Sequence, residues 1–115
     1  MHITLVGINH TTAPVAVRER FVFTSEELPA VLPRFGGAAV LLSTCNRTEV
    51  YLASHHPIAA ASVIALLREL RDVPDVDDEV FYHLAEQDAV RHLFRVAAGV
   101  ESMVLGEAEI ERWFG

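Results

Sequence analysis

Ala38-Ala39-Val40-Leu41-Leu42-Ser43-Thr44-Cys45-Asn46-Arg47-Thr48-Glu49-Val50-Tyr51-Leu52-Ala53 sets two apolar runs around a short polar turn. Residues 38–42 read as a buried strand, and 48–53 as a second one in which Val50 and Leu52 alternate with their neighbours. Cys45 therefore falls in the turn between two strands. A turn at a strand end exposes its side chains while the sheet beneath holds them still.

Outward from this pair, residues 3–8 form a β-branched, apolar run that ends in Asn9-His10-Thr11-Thr12, a strand followed by a polar turn. Pro14 suits the first turn of a short helix reaching about Phe21. Thr24 with Glu27 three residues on is a capping box, predicting a helix through Val31 toward Arg34, and Gly36-Gly37 breaks the chain before the central strands. On the other side, His55-His56-Pro57 marks a turn, and 58–70 reads as a helix with Val63, Ile64 and Leu67 inward. An acidic loop over 72–79 leads to a fourth strand at 80–84. Asp88 then caps a helix ending near Gly99, with Val90, Leu93, Phe94 and Ala97 as its buried stripe. Strand, helices, strand, strand, helix, strand is the order of an α+β, ferredoxin-like split β-α-β sandwich, here with a C-terminal helical extension. Residues 102–115 join Val104-Leu105 to Glu107, Glu109 and Glu111, where Glu107 and Glu109 read as catalytic carboxylates or, more simply, as an acidic helix start. The closing Trp113-Phe114 suggests a chain cut from something longer.

The 115 residues make one domain with room for a real core. With one cysteine no internal disulfide forms, and there is neither a basic secretory start nor an apolar run near membrane-spanning length. The expected setting is the cytoplasm, with no membrane partner. A net charge of -7, from 9 basic and 16 acidic side chains, is not the footprint of a general nucleic-acid binder. All the basic residues are arginines, which removes Schiff-base lysines and Walker-type loops. No Gly-x-Gly-x-x-Gly occurs, so no dinucleotide fingerprint is present and no cofactor is expected on this chain.

A lone cysteine is ordinarily a small buried hydrophobe. Its alternative use is as a nucleophile, for which it must be a thiolate, the form a guanidinium such as that of Arg47 favours. His92 lies two residues past Val90, about 200° around the helix, so the pattern turns it away from the buried stripe. There it is either solvated surface or a general acid-base near neutral pH. His55-His56 splay apart without a second cysteine, and the acidic loop lacks calcium-loop spacing, so no metal site is expected.

Four stretches resemble the N-terminal catalytic domain of glutamyl-tRNA reductases. These are Gly7-Ile8-Asn9-His10-Thr11-Thr12-Ala13-Pro14 with Arg18-Glu19, Leu42-Ser43-Thr44-Cys45-Asn46-Arg47-Thr48-Glu49, Ala89-Val90-Arg91-His92-Leu93, and Glu101-Ser102-Met103-Val104-Leu105-Gly106-Glu107. The resemblance covers residues 1 to about 110. It implies that Cys45 attacks the ester joining glutamate to tRNA, giving a thioester that NADPH reduces to glutamate-1-semialdehyde, the first step of tetrapyrrole biosynthesis. It places Thr44, Asn46 and Arg47 in the substrate pocket, Arg47 on the substrate carboxylate, with His92 supporting activity and Ser102 and Glu107 in the same pocket. Glu109 joins this set where the family carries glutamine. The family reads Pro-Gln-Ile-Leu-Gly-Gln where this chain reads Ala108-Glu109-Ile110-Glu111-Arg112-Trp113. The resemblance further implies that the NADPH-binding and dimerisation domains, and the homodimer they build, lie outside these residues. The competing reading is a non-catalytic ferredoxin-like module that binds tRNA or a protein partner.

Overall fold

The computed structural model describes residues 1–99 and the backbone of 104–108. Strands β1 (His2–Asn9), β2 (Ala38–Ser43), β3 (Arg47–Ser54), β4 (Tyr82–Ala85) and β5 (Val104–Ala108) form one antiparallel sheet in the order β4-β1-β3-β2-β5. Helices α1 (Val15–Arg20) and α2 (Leu28–Val31) lie between β1 and β2, α3 (Ala60–Arg71) between β3 and β4, and α4 (Glu86–Gly99) follows β4. The first four strands keep the expected ferredoxin-like α+β order.

Both faces of the sheet are covered, which is why β2 is buried along its whole length and reads as an unbroken apolar run. Val6, Ile8, Leu41, Val50 and Leu52 meet Phe21, Phe23, Val31 and the α3 residues Val63, Ile64 and Leu67 on one face. On the other, Leu5, Val40, Leu42 and Tyr51 meet Ala89, Leu93 and Val96 of α4. The helical extension is thus a lid on the second face.

Three expectations need correction. Thr24 and Glu27 do bond, the Thr24 N–H donating to the Glu27 carboxylate at 3.0 Å, but the helix starts only at Leu28. The acidic run at Glu107 is no helix start. Its backbone is β5, because the outer edge of β2 presents a row of N–H and C=O groups that a following extended segment can pair. The buried stripe of α4 is Ala89, Leu93 and Val96, rotated from the predicted one, so that Phe94 is 56% exposed. That rotation carries His92 inward, for a reason given below.

The acidic loop is consumed by structure. Asp75 pairs with Arg20, Asp78 with Arg68, and the Asp77 carboxylate accepts the Glu79 N–H at 2.9 Å. A second pin holds α3 to the segment after α1, where Arg71 donates to the Val22 carbonyl at 2.6 Å and to Glu27, and lies 4.4 Å over the Phe23 ring. Arg71 and then the Thr24 N–H hold the Glu27 carboxyl down at about 2, against an ordinary 4.5. A lowered folded-state value means stability that is present above pH 4.5 and lost as pH falls toward 2. Because the pair is partly solvated, its share is about 1 kcal/mol. The stability gap between wild type and Arg71→Met, read from urea midpoints, should therefore narrow by about 1 kcal/mol between pH 6 and pH 2.5. A gap independent of pH would remove the ion pair from the account.

Candidate active site

The turn from β2 to β3 is closed by its own polar atoms. The Thr44 N–H donates to the Arg47 carbonyl at 2.8 Å, and the Thr44 hydroxyl accepts the N–H groups of Asn46 and Arg47, each at 3.1 Å. Thr44 thus shapes the turn, and Cys45 stands exposed at its tip beside exposed Asn46. Below it, buried Ser43 and Thr48 strap the hairpin to the segment after α1. Ser43 Oγ accepts the Phe23 N–H at 3.0 Å, and the Thr48 hydroxyl donates to the Phe21 carbonyl at 3.0 Å. The cysteine is therefore not the buried hydrophobe its isolation suggests.

Alternation along β3 sends Val50 and Leu52 to one core and Arg47, Glu49 and Tyr51 to the opposite face, under α4. Glu49 is completely buried, and four donors converge on it. Tyr51 donates to Oε1 at 2.7 Å. Tyr82 donates to Oε2, where His92 Nε2 also approaches to 2.6 Å and Arg47 Nη1 to 3.3 Å. A carboxylate ringed by donors is in the environment of its ionised form, an acceptor only. Nε2 of His92 then carries a proton, and its 3.5 Å approach to Arg47 Nη1 is a contact between two donors. Among the described residues, nothing bonds to Nδ1 of that imidazole. Burial, and then the charge of Glu49, pushes both tyrosine hydroxyls far above their ordinary value, so they stay donors.

This cluster explains the rotation of α4. Turning His92 away would strip one charge-assisted donor, about 1.5–3 kcal/mol, from a fully buried carboxylate, whereas wholly exposing a phenylalanine forfeits about 1.5–3, and Phe94 is only partly exposed. The helix turns His92 in and Phe94 out. His92, which the pattern turns away from the buried stripe, is 18% exposed in its side chain.

Register shows how Tyr82 reaches Glu49. Gly7 of β1 lies opposite Glu49 on one side and Tyr82 on the other, so the phenol crosses over a residue with no side chain. A Cβ at Gly7 would stand 2.9 Å from Glu49 Cγ, 3.0 Å from the Thr48 carbonyl oxygen and 3.1 Å from Tyr82 Cζ. Gly7→Ala should cost about 2 kcal/mol in urea unfolding, since the Thr48 backbone cannot yield. A change below about 0.5 kcal/mol would mean the strands have room to spare.

The paired ends of β1 and β3, Asn9 opposite Arg47, bring the loop after β1 to the same end of the sheet as the cysteine turn. That loop is also self-bonded, Asn9 Oδ1 accepting the Thr11 N–H at 2.9 Å and the Ala13 carbonyl accepting Arg18 Nη1 at 2.8 Å. Thr44, Cys45, Asn46, Arg47 and His92 are thus brought to one corner.

A family description for the N-terminal domain of glutamyl-tRNA(Glu) reductase matches residues 6–112. The chain belongs to this family. It is 45% identical to the glutamyl-tRNA reductase of Marinobacter nauticus, over 96% of this chain and 27% of that protein. The solved glutamyl-tRNA reductase of Methanopyrus kandleri superposes with a TM-score of 0.56 at 38% identity, over 87% of this chain and 23% of that one. The chain thus spans about a quarter of the length of these glutamyl-tRNA reductases. Of the remaining residues expected in the site, Ser102 and Glu109 lie outside the described residues, and Glu107 is described only as backbone opposite Val40 in β5. Glu49 and Tyr82 were missed as site residues. Their signal was the i, i+2, i+4 series Arg47, Glu49, Tyr51 on one strand face, with the only other tyrosine opening β4.

No described helix is long and apolar enough to cross a membrane, and among the described residues no three metal-ligating side chains gather. A surface hollow lined by Leu84, Asp88, Arg91, Phe94 and Arg95 shares no residue with the Cys45 corner.

Proposed function

We propose that this chain is the part of a glutamyl-tRNA reductase that takes the glutamyl group from tRNA onto Cys45. The observation that carries the reading is the exposed thiol at the tip of a hairpin turn whose Arg47 shares one buried carboxylate with His92. The thiolate attacks the ester carbonyl, a carbon–sulfur bond forms, the bond to the ribose oxygen breaks, and that oxygen leaves with a proton. Arg47 spends only Nη1 on Glu49 among the described residues, so the rest of its fork suits the side-chain carboxylate of the glutamyl group. With Nε2 committed to Glu49, any proton exchange between His92 and the substrate runs through Nδ1. Asn46, Ser102, Glu107 and Glu109 complete the proposed pocket.

Reduction belongs to the whole protein. The described sheet is wholly antiparallel and holds no glycine-rich strand-to-helix turn, so these residues do not fit NADPH, and no step here runs through it. The folded chain should accordingly cleave glutamyl-tRNA slowly to glutamate and tRNA, with water as the acceptor, and make no glutamate-1-semialdehyde when NADPH is added. Semialdehyde from this chain would overturn the division of labour. Neither cleavage nor adduct from a folded sample would favour the non-catalytic module.

A further inference from the structure

We propose that Tyr82 is a positioning residue, whose hydroxyl fixes Glu49 Oε2 as the common anchor of His92 and Arg47. The proposal deepens the glutamyl-transfer reading and rests on it for its kinetic arm. Both tyrosines of the chain serve Glu49, but on different oxygens: Tyr51 holds Oε1, while Tyr82 shares Oε2 with His92 and Arg47. The groups around the carboxylate are Arg47 and Tyr51 from β3, Tyr82 from β4 and His92 from α4, with the Asn9 side chain of β1 close to the Tyr82 hydroxyl.

A carboxylate held through one oxygen can still swing about its terminal torsion, which is broad and weakly restrained. Without Tyr82, Oε2 would be held by Arg47 and His92, the very groups it orients, and would shift with them. The Tyr82 hydroxyl, donated from β4, fixes it independently of both. The Tyr82 ring also lies 5.7 Å from the His92 ring, inclined at 59°, so it limits the tilt of the imidazole from the same side. Gly7, bare between Glu49 and Tyr82, keeps the path for this contact open. Tyr82 itself need not touch a substrate. Its effect passes through Glu49 to the direction in which His92 Nδ1 and the Arg47 fork point.

The test is a double-mutant cycle on the full chain. Tyr82→Phe should slow formation of the Cys45 adduct about tenfold, leave iodoacetamide alkylation of Cys45 unchanged, and cost clearly less in a His92→Asn background, where only the Arg47 fork is left to displace. A wild-type rate, or losses that add, would overturn the proposal. If wild type forms no adduct, the transfer reading fails, and NMR decides the positioning claim without tRNA. The His92 Nε2 proton should then exchange with water about tenfold faster in Tyr82→Phe, and unchanged exchange would sink it. Should Tyr82→Phe not fold, 3-fluorotyrosine labels only the two tyrosines in question. The Tyr82 fluorine resonance should move on His92→Asn, and a resonance that stays put would refute the coupling.

Discussion

Cys45→Ser is expected to abolish covalent capture of the glutamyl group while leaving the urea unfolding curve of the chain unchanged. The thiol stands exposed at the turn tip, and the turn is closed by Thr44 and the backbone, so removing sulfur costs the fold nothing. Chemically the change is drastic. A serine hydroxyl remains protonated at neutral pH without a strong base, and the imidazole at this corner already has Nε2 on Glu49. Mass spectrometry of the protein after incubation with glutamyl-tRNA reads the outcome. An undiminished adduct on the serine variant would take Cys45 out of the mechanism.

Glu49→Gln should produce the opposite pattern, a large loss of stability at a position that touches no solvent. The carboxylate accepts from Arg47, Tyr51, Tyr82 and His92, and an amide of the same size turns two of its hydrogens toward donors. Removing one side of a buried, hydrogen-bonded charge cluster costs about 3–5 kcal/mol, a large fraction of the roughly 5–15 available to a domain of this kind. The urea midpoint should fall accordingly. A loss under about 1 kcal/mol would show that the cluster does not depend on a charged acceptor at its centre.

The contrast between these residues shows where sequence reading reaches and where it stops. Val50 and Leu52 announce one buried face of β3 by alternation, and Val63, Ile64 and Leu67 announce α3, because those residues can satisfy themselves only in a core. Glu49 gives no such signal. Its position on the other face of β3 has the polar look of a solvated strand edge until α4 covers it, and that covering is set by tertiary packing. The same event defeats the periodicity of α4. Hydrophobic residues at 90, 93, 94 and 97 and at 89, 93 and 96 define overlapping stripes, and the need of a buried carboxylate for His92 selects the second. β5 was invisible for a related reason, since its extended state is stabilised by the edge of β2 rather than by its own residues. The corner formed by Thr44, Cys45, Asn46 and Arg47 was legible as a turn because strands flanked it on both sides. Its connection to His92 came from the family resemblance and not from residue patterning, because Glu49 lies between them.

The most direct test of the central claim is peptide mapping of the wild-type chain after brief incubation with glutamyl-tRNA and acid quench. The account predicts a glutamyl thioester on the peptide containing Cys45, discharged by hydroxylamine at neutral pH. A folded chain that binds glutamyl-tRNA yet leaves Cys45 unmodified, or carries the glutamyl group on another residue, would contradict it.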